Sequence, residues 1–186
     1  MAQTEPTGLS AEAFLAWSRE QPEGRRYELA GGRVVAMAPE RAAHALTKQG
    51  AARALEQAVS SAGLACEVFP DGMAVKIDEA TVYEPDALLR CGGPIDRDAV
   101  VVADPLLVVE VLSPASKGID SGRKLTDYFR LESLRHYLVI DPERRVVVHH
   151  ALGSAGAIAT AIRSDGRLRL DPPGLDPAVG EIFARL

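Results

Sequence analysis

Pro105-Leu106-Leu107-Val108-Val109-Glu110-Val111-Leu112-Ser113-Pro114 is the stretch on which the fold turns. A proline biases its predecessor away from helix and cannot join a ladder, so the two prolines bound the most apolar strand of the chain. Within that strand a solvated place for Glu110 is hard to arrange. A second carboxylate, Asp86, stands in Tyr83-Glu84-Pro85-Asp86-Ala87-Leu88-Leu89. Burying a carboxylate costs free energy that only a cation or a proton offsets. Two such acids, followed by Lys124 on a predicted helix, point to metal-dependent phosphodiester chemistry.

Outward from that strand, the pattern alternates helices and strands. Ser10 is placed to cap a helix that ends before Pro22. Arg26–Ala30 and Arg33–Met37 flank Gly31-Gly32 as a hairpin with a primed turn. The segment 41–62 is rich in Ala, Leu, Gln, Glu and Lys and predicts the longest helix, closed by Gly63 at the C′ position. Strands are expected over Leu64–Phe69, Met73–Ile77 and Val82–Arg90. After Pro114, Asp120 can cap a helix to about Ser133, followed by strands His136–Pro142 and Arg145–His150. A last hairpin is expected from Ala157–Arg163 and Arg167–Leu170, then a short helix within Asp176–Ala184. The order implies an α/β (α+β) fold, a mixed β-sheet flanked by helices.

Composition narrows the setting. A chain of 186 residues, 47% hydrophobic and 25% charged, can bury one full core, and we expect a single domain over residues 1–186. No apolar run approaches the ~20 residues of a membrane span, and the start lacks a signal-peptide pattern, so a cytoplasmic protein without a membrane partner is expected. Cys66 and Cys91 lie in separate predicted strands without CxxC spacing, which favours two buried thiols over a disulfide or zinc cluster. A net charge of −5 provides no global attraction to nucleic acid. His149 and His150 alternate faces on a strand and cannot both ligate one metal from adjacent positions.

Phosphodiester cleavage requires an activated water, charge neutralisation at the phosphate and stabilisation of the leaving oxygen, all of which Mg²⁺ supplies. Magnesium takes oxygen ligands and keeps several waters, so carboxylates on adjacent strands suffice. Asp86 and Glu110 meet that need if their strands pair in a register that sends both to one site. Asp120, Lys124 and Tyr128 are spaced by four and share one helix face, so an ammonium and a phenol can be aimed together. Each has a plainer reading: Asp120 and Lys124 as an exposed pair worth ~0.3–0.5 kcal/mol, Tyr128 as a core aromatic, Glu28 as an exposed strand residue, His44 as a helix-surface residue.

Pro85-Asp86, Glu110-Val111-Leu112-Ser113-Pro114-Ala115-Ser116, then Asp120, Lys124 and Tyr128, and Arg135-His136-Tyr137-Leu138-Val139-Ile140-Asp141-Pro142 resemble the bacterial Uma family of restriction-type endonucleases, within the PD-(D/E)XK nuclease superfamily. Tyr27-Glu28-Leu29-Ala30-Gly31-Gly32 is similar to the family's N-terminal hairpin, and His44 falls where its long helix often carries histidine. The resemblance implies a restriction-endonuclease-like core in which Asp86, Glu110 and the carbonyl of Val111 bind Mg²⁺ or Mn²⁺, with Glu28 approaching from the hairpin. The superfamily lysine two residues after the glutamate is Leu112 here, so Lys124 would supply the ammonium. Leu138 stands where an aromatic residue is more usual.

The expected activity is therefore hydrolysis of DNA phosphodiester bonds by a homodimer whose two sites form one channel. Catalytic roles fall to Asp86, Glu110, Lys124, Glu28 and Tyr128. Two rivals stay open: a nuclease fold without turnover that binds nucleic acid or a partner, kept alive by Leu112, and a metal-assisted hydrolase of small phosphate esters, favoured by the missing basic field.

Overall fold

Ser10 begins the first helix: its Oγ accepts the Ala13 N–H at 3.2 Å, and α1 (Ala11–Arg19) follows. The computed structural model describes residues 6–113 and 119–186, and of 119–121 the backbone alone. β1 (Tyr27–Ala30) and β2 (Arg33–Ala36) form the expected hairpin, with Gly31 and Gly32 at φ 60° and 76° as a primed turn demands. α2 (Ala42–Ala62) ends at Gly63, which takes the left-handed conformation at φ 61°. Then come β3 (Cys66–Pro70), β4 (Val75–Asp78), β5 (Thr81–Tyr83), β6 (Ala87–Cys91), β7 (Leu107–Val111), α3 (Ile119–Tyr128), β8 (His136–Asp141), β9 (Val146–Leu152), β10 (Ile158–Arg163) and α4 (Val179–Ile182).

The strands divide between two sheets. A four-stranded antiparallel sheet runs β2-β1-β5-β4, and a six-stranded mixed sheet runs β10-β9-β8-β7-β6-β3. In the larger sheet only β7 and β8 are parallel, a pairing that requires a crossover, and α3 lies in that connection. The apolar strand β7 sits between β6 and β8, and its residues go to both faces. Leu107, Val109 and Val111 pack with Ala51 and Leu55 of α2, while Val108 packs with Tyr128 and Tyr137 on the α3 side. No helix among the described residues is long and apolar enough to cross a membrane.

Four expectations are corrected. Val82–Arg90 is not one strand: Glu84, Pro85 and Asp86 break it, so β5 joins the small sheet and β6 the large one. Pro85 has no N–H to give a ladder, and the break frees Asp86 from regular pairing. Arg167–Leu170 does not pair with β10; it bridges Ala178 and Leu175 instead, because Leu168 and Leu170 bury themselves beside Val179 and Ile182. The third helix stops at Tyr128 rather than near Ser133 and continues as turns, with Leu131 N–H on Tyr128 O. Cys66 and Cys91 form a disulfide, since the β3–β6 register sets them opposite each other although 25 residues separate them. The capping expected of Asp120 concerns a side chain outside the described residues, as does the Pro114-Ala115-Ser116 motif.

α2 is held against α4 by a glycine. A Cβ at Gly50 would lie 2.1 Å from the carbonyl oxygen of Ile182, a backbone atom that cannot swing aside. Gly50→Ala is therefore expected to lower stability by about 2–3 kcal/mol despite its better helix propensity. Urea unfolding measures this, and an unchanged midpoint would mean that α2 and α4 do not make this contact.

Candidate functional site

The break at Pro85 positions the first acid. Asp86 remains tied to β7 through its own N–H, which donates to Val109 O at 2.9 Å, and its Oδ2 accepts the Val111 N–H at 2.7 Å. From α2, Lys48 Nζ approaches Oδ1 at 3.3 Å and His44 Nε2 lies 3.6 Å from Oδ2. The same His44 nitrogen stands 2.9 Å from Val111 O. A carbonyl only accepts, so Nε2 carries the proton. His44 Nδ1 is buried without a hydrogen-bond partner and faces Glu40 Oε2 at 3.7 Å.

The second acid faces the other way. Strand alternation turns Glu110 toward α3, where its Oε1 accepts Tyr128 OH at 2.8 Å and Lys124 Nζ at 3.0 Å. Lys124 Nζ also donates to Glu28 Oε1 at 2.9 Å, and that oxygen takes the Glu84 N–H at 3.0 Å. Glu28, Glu110, Lys124 and Tyr128 are thus joined by hydrogen bonds from β1, β7 and α3, whereas Asp86, at the β5–β6 break, takes its contacts from α2 and the Val111 N–H and reaches the cluster only through its charge on Glu110.

Charge explains how this cluster is held. Glu28 and Glu110 share one ammonium, so burial, joined by the neighbouring charges of Glu28 and Asp86 and opposed by Lys124, raises the Glu110 carboxyl to about 8. Lys124 responds in the opposite sense. Burial alone would discharge it, but Glu110 and Glu28 outweigh that effect and hold its proton above the usual lysine range. The Tyr128 phenol is pushed well up by complete burial and by the adjacent carboxylates, so it is a hydrogen-bond donor here and not a base.

Sequence reasoning missed the cationic side of Asp86. Lys48, only 6% exposed, contacts Glu40, lies 2.8 Å from Asp71 and reaches Asp86. Burial works against its charge, yet Asp71 and Glu40 keep it protonated. Arg26 contacts Asp71 and lies 2.6 Å from Glu84, closing the network. A signal existed in the spacing: His44 and Lys48, one turn apart, lie on one face of α2, and Glu40 stands just before its N-cap Arg41. A cavity of about 390 Å³, lined in part by Glu40, Lys48, Arg53, Asp71 and Asp86, gives Asp86 an approach from outside.

The donor set suits a hard or borderline divalent cation. Ligand atoms of Glu40, His44 and Asp86 lie within 4.8 Å of one another, the Val111 carbonyl adjoins them, and the buried His44 Nδ1 has no hydrogen-bond partner. Carboxylate, carbonyl and imidazole donors match the oxygen and nitrogen chemistry of such an ion, not the thiolate set of a structural zinc.

A family model described as "Uma2: Putative restriction endonuclease" matches residues 11–177. A Synechocystis protein described as "Uncharacterized protein slr1290" is 27% identical over 181 residues, covering 96% of this chain and 93% of its own length. Among solved structures, one titled "a putative nuclease belonging to DUF820" from Anabaena variabilis superposes with a TM-score of 0.72 over 95% of this chain and 98% of that one. Its sequence is 13% identical, so the likeness is one of fold.

Proposed function

Since the chain belongs to the Uma2 family of restriction-type endonucleases, we propose that it is a metal-dependent endonuclease hydrolysing DNA phosphodiester bonds in the cytoplasm, built as a single domain. One observation carries the reading: Lys124 Nζ lies 3.0 Å from Glu110 although Leu112 occupies the usual lysine position. On this reading α3 supplies, beside Glu110 and Glu28, the ammonium that phosphodiester chemistry needs.

Asp86, Glu110 and the Val111 carbonyl would hold Mg²⁺ or Mn²⁺, which when bound neutralises phosphate charge and lowers the pKa of a water. The chain's own groups do the rest. Lys124 keeps its proton and so acts as a donor to developing negative charge, orienting the attacking oxygen rather than deprotonating it. Glu28 anchors that ammonium, and Tyr128 fixes the Glu110 rotamer from behind. Lys48 of α2 and the Val111 N–H of β7 orient Asp86.

Supercoiled plasmid incubated with purified protein tests the proposal. Nicking is expected with Mg²⁺ or Mn²⁺, abolished by EDTA and restored by excess metal, and lowered about 100-fold or more in Asp86→Asn. Calorimetry of the same metals supplies the second readout. Metal binding without nicking would overturn the DNA reading. Turnover of a chromogenic phosphodiester would then identify a small-ester hydrolase, which the net charge of −5 favours, and its absence an inactive module.

A further inference from the structure

We propose that β10 is the pairing edge for a second copy of this chain, joining two molecules antiparallel through residues 158–162 into one continuous sheet. An edge strand presents unpaired N–H and C=O groups, and native proteins shield such edges with proline, charge or a covering segment. The other edges here are shielded. β2 is met by Pro6, Thr7 and Gly8, with Val34 N–H on Pro6 O and Thr7 bridged to Arg33. β4 is flanked by Val100–Val102, which exchange hydrogen bonds with Ala74. β3 carries Glu67 and ends in Pro70. Beyond its pairing with β9, β10 carries one charge, Arg163 at its end, and over 158–162 has none of these devices among the described residues.

Its side chains point to the occupant. Residues 158–162 read Ile-Ala-Thr-Ala-Ile, the same in both directions. A two-fold axis through Thr160 therefore sets Thr160 against Thr160, Ile158 against Ile162 and Ala159 against Ala161, each residue meeting a like or matching one. Ile162 is 66% exposed and Ile158 41%, large apolar groups left in water on the face that also carries Thr160. Thr160 already bonds His150 Nδ1 at 2.8 Å, so the pairing extends an ordered polar row flanked by isoleucines. The two Arg163 side chains fall at opposite ends of the joint, and no like charges are opposed.

The arrangement has a functional corollary. β10, β9 and β8 separate β7 from the joint, so the two β7 strands lie seven strand spacings apart, roughly 34 Å, and point in opposite directions. The two acidic sites stay separate and do not merge into one channel, and if the nuclease reading holds, each acts on its own DNA strand.

Sedimentation equilibrium of the full chain from about 1 to 100 µM tests the edge directly. The wild type is expected to be a dimer in that range, and Ile158→Lys/Ile162→Lys to associate about 100-fold more weakly with unchanged circular dichroism, both positions being solvent-facing. Thr160→Cys is expected to cross-link between copies under mild oxidation about tenfold faster than Ile158→Cys, whose partner in this register is Ile162. A monomer throughout the range, including one that pairs only with a different protein's strand, would overturn the proposal. So would a dimer indifferent to the two lysines, or equal cross-linking at both positions. None of these readouts depends on nuclease activity.

Discussion

Glu110→Gln is expected to lower plasmid nicking by about 10³-fold while leaving the fold as stable as before or more so. The amide keeps the shape of the side chain, and its oxygen can still accept from Tyr128 OH and Lys124 Nζ, so the packing behind it survives. It loses the negative charge a divalent cation requires. Burial raises the Glu110 carboxyl to about 8, so between about pH 4.5 and 8 the folded chain holds a proton that the unfolded chain has released. The contribution of Glu110 to stability is therefore greatest below about pH 4.5 and is lost as the pH rises toward 8. The glutamine variant lacks that loss, and its melting temperature should exceed the wild type's most clearly near pH 9. Activity should show the complementary dependence. The ionised carboxylate is the form that holds metal, so wild-type metal affinity is expected to rise up to tenfold per pH unit and level off above about 8. Nicking assays, calorimetry and melts across this range check all three. A folded glutamine variant that still nicks would remove Glu110 from the chemistry.

The strand Leu107–Val111 was legible because two prolines and an apolar run leave it no other conformation, and Glu110 stood out against that run. The hairpin and α2 were legible for equally local reasons, through Gly31-Gly32 and Gly63. Positions set by long-range register were not. Nothing near Cys66 announces Cys91, and nothing in Arg167–Leu170 says that its leucines prefer α4 to β10, because those choices depend on which apolar surface is nearby after folding. The same limit applied at the site. Glu28, Glu110 and Lys124 could be named from pattern, but their meeting at one ammonium depends on β1 of one sheet approaching β7 of the other. Lys48 and Asp71 escaped notice because each looks like an ordinary surface charge until the fold presses them together against Asp86.

Lys124 is where stability and chemistry separate most cleanly. Lys124→Met should cost about 3–5 kcal/mol near pH 8, since it leaves Glu28 and Glu110 as two buried carboxylates without their shared cation. The loss should shrink as the pH falls, because a proton on one acid replaces the missing ammonium, and the sign is the reverse of what a surface lysine would give. Nicking should fall by about 10²–10³-fold. A collapse of the fold would explain lost activity equally well, so the single variant is not decisive. Lys124→Met/Glu28→Gln resolves this: removing one of the two carboxylate charges should return most of the stability, with Glu110 still hydrogen-bonded to Tyr128. If Lys124 only neutralises its neighbours, that double variant should also recover nicking. If the ammonium acts on the reacting phosphate, activity should remain about 10²-fold or more below wild type in a protein whose urea midpoint is nearly normal. Urea unfolding and nicking measured together on the two variants therefore assign Lys124 to one role or the other, and recovered nicking would strip it of its catalytic one.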